Sequence, residues 1–379
     1  MKGEKFFIDD NRVPAEFSAK RFGRFLTSEQ SQRQKEEARL ERALHTLQEK
    51  YRAEEMKLIG SEMREKLTEY TRKNRRPDPK PGEDSRLLES GFLAEERCRQ
   101  RIQSLRFAQD VKLDLNGLVK LRRAASLEFE KLIKPVESAT HRTTVEQPEQ
   151  AVFNEPFVLP HPNPLVSEAT FFPNYPGWWD RSAQNSASGD GQIKRNDSYL
   201  WWDASRSGSC IHSKNKDAGD FDYLMSHREN GFLVPFKTTQ NGILRIRFDV
   251  ECAFSQHCLE TWDEWGWSDY TAWTNEAAVA SVFWKWEDVT PATESVDLHF
   301  VWGLDGHGDG ESSPGVVYPV PAAQLRTLTV YTNMSFPANV NLWIYIGTKQ
   351  RFYGIINDVS INTFVNAGWY IRRIQVNSI

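Results

Sequence analysis

With 379 residues, 26% of them charged and a formal net charge of −4, the chain is too long for one ordinary core and too mixed in charge for a nucleic-acid footprint. No apolar run is long enough for a transmembrane helix, and four cysteines do not make a disulfide scaffold. Two or three structural units are expected.

Tryptophan and charge divide the chain in the same place. All thirteen tryptophans lie after residue 177, and residues 1–150 carry 32 Lys and Arg against 27 Asp and Glu. A charged, Trp-free N-terminal part therefore precedes an acidic, aromatic C-terminal part. The first residues, MKGEKFFIDDNRVPAEF, hold no apolar run of signal-peptide length. Synthesis in the cytosol is expected, with action as part of a particle or outside the cell.

Residues 1–27 read as an arm. Phe6, Phe7, Phe17, Phe22 and Phe25 alternate with basic residues, and Pro14 and Gly23 interrupt any helix. Two readings stand: local packing against the next helix, or a docking peptide whose rings fill pockets on a larger particle.

Residues 28–134 read as a helical stalk or helical hairpin. Ser28 suits an N-cap, and only Gly60 interrupts the helical pattern to Arg75. Leu40, Leu44, Leu47, Tyr51 and Leu58 form one stripe, and Met56, Ile59, Met63, Leu67 and Tyr70 another. A thin apolar seam among charges suits a coiled coil that joins copies of the chain into an oligomer such as a trimer. RRPDPKPGED (75–84) ends the first helix, and Ser85 can cap a second. Within VKLDLNGLVKL (111–121), Asn116-Gly117 is also a hairpin signal. The surrounding heptads favour helix with a break near Gly117.

Residues 135–165 form a Pro-rich linker, expected to be extended. Residues 166–379 read as a Trp-rich head. Runs at 242–254, 279–289, 295–304, 325–334, 341–348, 352–361 and 369–378 alternate apolar and polar positions between Gly, Pro, Asn and Asp. About eight strands predict an antiparallel β-sandwich, jelly-roll-like, in a domain separate from the helices. The last strand should pair centrally, with a bulge at Arg372-Arg373.

The head carries the candidate sites. Trp284, Trp286, Trp302, Trp343 and Trp369 fall in strands and suit a core. Trp178, Trp179, Trp201, Trp202, Trp262, Trp265, Trp267 and Trp273 fall in polar segments read as loops. Indole faces stack on the C–H face of a pyranose, and carboxylates accept its hydroxyls. Trp262, Asp263, Glu264, Trp265, Trp267, Asp269 and Trp273, with Trp201 and Trp202, are therefore the expected binding residues for a glycan. Exposed tryptophans equally mark a protein partner. Asp305, Asp309 and Glu311, in LDGHGDGES, could supply oxygens to calcium. No other cofactor is expected. Cys210, His212, Cys252, His257 and Cys258 match no common zinc spacing. Ser207-Gly208-Ser209 lacks the second glycine of a nucleophile elbow.

These features point to a non-enzymatic attachment protein, docked in a phage, virus or phage-tail-like particle and presenting a glycan- or protein-binding head. A toxin or effector with a β-sandwich targeting domain is the alternative. A carbohydrate-active enzyme using Asp263 or Glu264 is a third.

Overall fold

The computed structural model describes residues 6–74, 91–138, 167–189, 191–200, 206–215, 221–263, 269–286, 292–309, 316–317, 325–357 and 359–379. The linker prolines between 139 and 166 lie outside them.

The N-terminal part holds strand β1 (Phe6–Ile8), a 3-10 turn (Ala15–Phe17) and three helices, α1 (Ala19–Asn74), α2 (Gly91–Asp110) and α3 (Leu115–Ser138). The start of α1 lies ahead of Ser28. The Ser18 carbonyl accepts the Arg21 and Phe22 amides at 3.1 Å, and the Asp10 carboxylate accepts the Ala19 amide at 2.6 Å. A non-local carboxylate thus satisfies a helix-start donor.

Gly60 does more than interrupt a pattern. Its φ of 76° and ψ of 162° break α1 into two helical segments. Residues 115–121 are helix rather than hairpin, and the break falls at 111–114, before Gly117. Lys112 takes a positive φ of 56°, and the Asp114 carboxylate accepts the Gly117 amide at 2.9 Å as the N-cap of α3.

The head is built of antiparallel strands in two sheets. Its strands are β2 (Ser167–Phe171), β3 (Gly177–Ala187), β4 (Gly191–Ser198), β5 (Arg206–Asn215), β6 (Phe221–Lys237) and β7 (Leu244–Asp263). They continue with β8 (Asp269–Trp284), β9 (Ala292–Asp309), β10 (Val316–Val317), β11 (Leu325–Tyr331), β12 (Asn341–Asn357) and β13 (Val359–Ser378). One sheet runs β1-β3-β6-β12-β8-β9; the other runs β10-β7-β13-β5-β4, with β11 on β7 and β2 on β13. The final strand β13 is central, and its register shifts between Ile371 and Arg373, at the expected bulge.

Several long strands were invisible or divided in the sequence. The polar run Ser226–His227–Arg228–Glu229–Asn230 occupies the middle of β6, which is paired on both sides. Gly347 lies inside β12 opposite Gly231, and Gly368 inside β13 opposite Gly208. A Cβ on Gly231 would come within 2.4 Å of the Gly347 Cα, so these glycines permit close backbone approach instead of marking turns.

Three of the apolar clusters among the described residues involve the first sheet's two faces most directly. Phe232, Val234, Ile246, Phe248, Ile344 and Ile374 belong to the layer shared by the two sheets. On the outer face of the first sheet, Trp179, Phe283, Trp343 and Tyr345 pack with Phe17, Phe22 and Phe25 of the arm. Further along that face, Phe221, Tyr223, Met225, Tyr353 and Ile355 pack with Leu44, Leu47 and Tyr51 of α1 and Ala125 and Phe129 of α3.

The arm therefore fills pockets in its own chain. β1 pairs with β3, and Phe22 stacks on Trp343 with ring centroids 5.0 Å apart. Phe17, Phe22 and Phe25 are buried there, whereas Phe6 and Phe7 are 40% and 46% exposed. The Leu40–Leu44–Leu47–Tyr51 stripe likewise faces the sheet and α3, not a second copy's helix.

Candidate functional site

The expected binding and calcium residues come from three stretches of sequence; the fold sets Asp269, Trp273, Asp305 and Asp309 at one end of the first sheet, while Trp262 and Asp263 end β7 of the second. β7 ends at Asp263 and β8 begins at Asp269. In register, Asp269 lies between Asp309 of β9 and Asn357 of β12. Two positions further into β8, Thr271 pairs with His307 and Ile355; two further again, Trp273 pairs with Asp305 and Tyr353. Trp262 and Asp263 pair with Ser360 and Val359 at the start of β13, immediately across the β12–β13 connection. The acidic stretch and the tryptophan stretch are therefore cross-strand neighbours. Trp201, Trp202, Glu264, Trp265, Trp267 and Glu311 lie outside the described residues.

Trp273 differs from its expected place. It stands in β8, half-buried, with its ring 4.4 Å from that of Tyr353 and packed on the α1–α3 cluster. Trp178 and Trp179 also stand in a strand, β3. Trp179 is buried against Tyr345, and Trp178 is half-buried beside Phe7, with centroids 6.3 Å apart. Of the tryptophans expected in the core, Trp286, Trp343 and Trp369 are buried.

A polar seam that the sequence did not disclose runs between α1 and the outer sheet face. Glu29, Arg33, Glu37 and Glu41 recur every four residues and share one stripe of α1. Opposite them stand Arg181 of β3, His227 and Glu229 of β6, and Lys349 of β12. Arg181 Nη2 donates to Glu29 Oε1 at 3.0 Å, and Nη1 donates to Glu229 Oε1 at 2.9 Å and Ser281 Oγ at 2.6 Å. The guanidinium also lies 5.1–5.4 Å from the ring centres of Trp179, Phe283 and Tyr345. Arg33 Nε donates to Glu29 Oε1 at 3.0 Å, Lys349 Nζ is 3.9 Å from Glu229 Oε2, and Ser186 Oγ donates to Glu41 at 3.0 Å.

Burial and charge compete within this seam. Burial alone would raise the Glu229 carboxyl; Arg181, Arg33 and Lys349 outweigh it and hold the group down at about 2. Burial raises Glu37 to about 7 against the nearby Arg33 and Lys349. Burial, Lys349 and Arg351 push His227 well below the ordinary imidazole range. The seam joins α1 to the outer sheet face through buried ion pairs.

A second polar layer lies between the sheets. Ser207 Oγ donates to the Asn230 carbonyl at 2.5 Å, and Ser209 Oγ donates to Gln350 Oε1 at 2.9 Å. Glu276 accepts from Ser255 Oγ and, at 3.1 Å, from Trp369 Nε1, while His257 Nδ1 is 2.9 Å from Thr274 Oγ1. Ser, His and Glu side chains meet here, but each is at most 1% exposed, so no substrate reaches them in this conformation. Ser207 and Ser209 are fully buried strand residues, not a nucleophile elbow. Cys210, Cys252 and Cys258 are buried and lie outside any disulfide, and burial pushes Cys252 up to about 12. Among the described residues no His, Cys, Asp and Glu grouping is placed to hold a metal ion, and no helix is long and apolar enough to cross a membrane.

No family model and no curated protein matches the chain. Among solved structures, the enzymatically active domain of bacteriophage CBA120 tailspike protein 4 aligns at 5% identity and a TM-score of 0.14, over 51% of this chain and 19% of that one. A mutant of the CBM29-2 carbohydrate-binding module aligns at 11% identity and a TM-score of 0.13, over 51% of this chain and 89% of that one. A family 29 carbohydrate-binding module aligns at 11% identity and a TM-score of 0.13, over 49% and 89%. TM-scores this low assign no common fold.

Proposed function

We propose that this chain is a non-enzymatic attachment protein whose head binds a glycan at the end of the first sheet. The observation that carries the reading is the register that sets Asp269 beside Asp309 and Asn357, and Trp273 beside Asp305. Trp262 and Asp263 end β7 of the other sheet, and Trp265 and Trp267 belong to its five-residue connection to β8. Sugar recognition needs this mixture: flat apolar rings for C–H faces, carboxylates and amides for hydroxyls. Asp305, Asp309 and Glu311 are the proposed calcium ligands. The helical part and arm are proposed to join the head to other copies and to a larger particle. On this reading the sandwich is jelly-roll-like.

The test is a glycan array probed with the full chain, followed by calorimetry of the hits with and without a calcium chelator. Trp265→Ala, Trp267→Ala and Asp269→Asn should each weaken binding at least tenfold while circular dichroism stays unchanged. Binding that survives all three substitutions sinks the assignment to this end. Cleavage of a bound glycan, abolished by Asp263→Asn or Glu264→Gln, would replace it with the enzyme reading.

A further inference from the structure

We propose that residues 6–59 form an exchangeable arm, which a second copy of this chain can supply to the same sheet face. The proposal names how copies join, and so rests on the self-association reading above; glycan binding does not depend on it.

The occupant of the face is given by the cis contacts. β1 adds to the sheet edge at β3, Phe17, Phe22 and Phe25 fill the aromatic pocket, and Glu29 meets Arg181. Gln48 Nε2 donates to Ser188 Oγ at 2.7 Å and to the Phe221 carbonyl at 2.9 Å, and Arg52 is 3.2 Å from Asp222. Ring, charge and hydrogen-bond complementarity to this segment runs along the whole length of the face. Nothing in it requires the segment to come from the same chain.

The hinge is Gly60. Its φ and ψ lie in a region that glycine occupies and L-residues essentially do not. A Cβ built there meets nothing within 4 Å, so the barrier to another residue is conformational and not steric crowding. On either side the sequence is helical. Glu55 closes the bend: its carboxylate meets Arg64 across the hinge at 3.1 Å and Arg122 of α3 at 3.2 Å. In a continuous helix, residues 55 and 64 are about 13 Å apart along the axis, too far for that pair. Beyond the hinge, Leu67 and Tyr70 pack with Phe107 and Ala108 of α2 and with Leu113 and Leu115. A straightened α1 cannot satisfy this cluster and the sheet face on one molecule. Two copies satisfy both reciprocally, each arm lying on the other's sheet.

Lys50 and Glu128 give the readout, because their 2.9 Å ion pair joins α1 to α3 at the surface. Equal amounts of isotopically heavy and light chain are unfolded, refolded together and treated with a zero-length carbodiimide. Native mass spectrometry then gives oligomeric state, and peptide mass spectrometry gives the heavy–light composition of the Lys50–Glu128 link. Gly60→Ala should raise the dimerisation constant by about a hundredfold, about tenfold for each of two hinges denied the bent conformation. About half of its links should join heavy to light chains, the share that random pairing of the two labels gives. Arg64→Ala, which keeps Gly60 and loosens the bend, should shift dimerisation the same way to a smaller extent, and decides the matter if Gly60→Ala does not fold. Dimers whose Lys50–Glu128 links stay within one chain overturn exchange and leave self-association standing. Monomers in both variants overturn exchange and the self-association reading together.

Discussion

Arg181 Nη2 and Glu29 Oε1 lie 3.0 Å apart, joining the third strand to the first helix across 152 residues of sequence. The arginine side chain is 1% exposed and the glutamate 8%. Removing Arg181 leaves two buried carboxylates short of a cation, Glu29 with Arg33 alone and Glu229 with Lys349 at 3.9 Å. Arg181→Ala should therefore destabilise the chain by about 3–5 kcal/mol. Urea unfolding followed by far-UV circular dichroism measures it. An effect under about 1 kcal/mol, the size expected of an exposed pair, would show that the seam does not hold the helix.

The aromatic pocket makes a separate prediction. Phe22 is fully buried among Phe25, Phe283, Trp286 and Trp343. Phe22→Ala should cost about 3–5 kcal/mol and leave a cavity beside two indoles. Thermal unfolding should move to lower temperature, and tryptophan emission should shift to the red. An unchanged emission spectrum would place Phe22 elsewhere.

Glu37 and His227 predict the pH dependence. His227 Nε2 is 3.7 Å from Glu37 Oε1. Burial raises Glu37 from 4.5 to about 7, so its contribution is fully present below 4.5 and is lost as pH rises through 7. His227 is lowered from 6.5, so its contribution is present above that value and is lost as pH falls below it. Between 4.5 and 6.5 the two nearly cancel: a proton leaves His227 on folding and another is held by Glu37. Unfolding free energy should therefore be flatter from pH 5 to 6.5 in the unsubstituted chain than in Glu37→Gln. That variant should lose stability as pH falls through the window, the histidine acting alone. Parallel profiles for the two proteins would refute the coupling.

The cap of α3 gives a smaller and cleaner test. Asp114 accepts the Gly117 amide at 2.9 Å in an exposed turn. Asp114→Ala should cost about 1 kcal/mol, and Asp114→Asn should restore most of it. Denaturant midpoints of the two variants distinguish a cap from a residue that matters only for charge.

Much of the architecture was legible because local periodicity carried it. The Leu40–Leu44–Leu47–Tyr51 stripe announced a helix, and the alternation through 242–254 and 369–378 announced strands. What the stripe packs against could not be read, because an apolar seam fits a sheet as well as a second helix. Hence a covering helix looked like a stalk. β6 was missed for the opposite reason: its centre is Ser226 to Asn230, polar residues whose partners Glu37, Arg181 and Asn196 lie far away in sequence. The start of α1 depends on Asp10 in the same way. The candidate site was half legible. Residue chemistry picked out Asp269, Trp273, Asp305 and Asp309, and only strand register could make neighbours of them. Trp273, read as a loop residue, was claimed by a strand because the run after Asp269 has enough β-branched and aromatic residues to pair on both sides.

The covering of one sheet by the N-terminal helix has a consequence for how the chain is made. Phe17, Phe22 and Phe25 are translated about 320 residues ahead of Trp343 and Tyr345, which bury them. During synthesis the helix waits, its aromatic stripe uncovered, until β12 has left the ribosome. Contacts so distant in sequence slow folding and expose the nascent chain to aggregation. Newly made chains crowded on one message would meet one another's unfinished sheets during this interval.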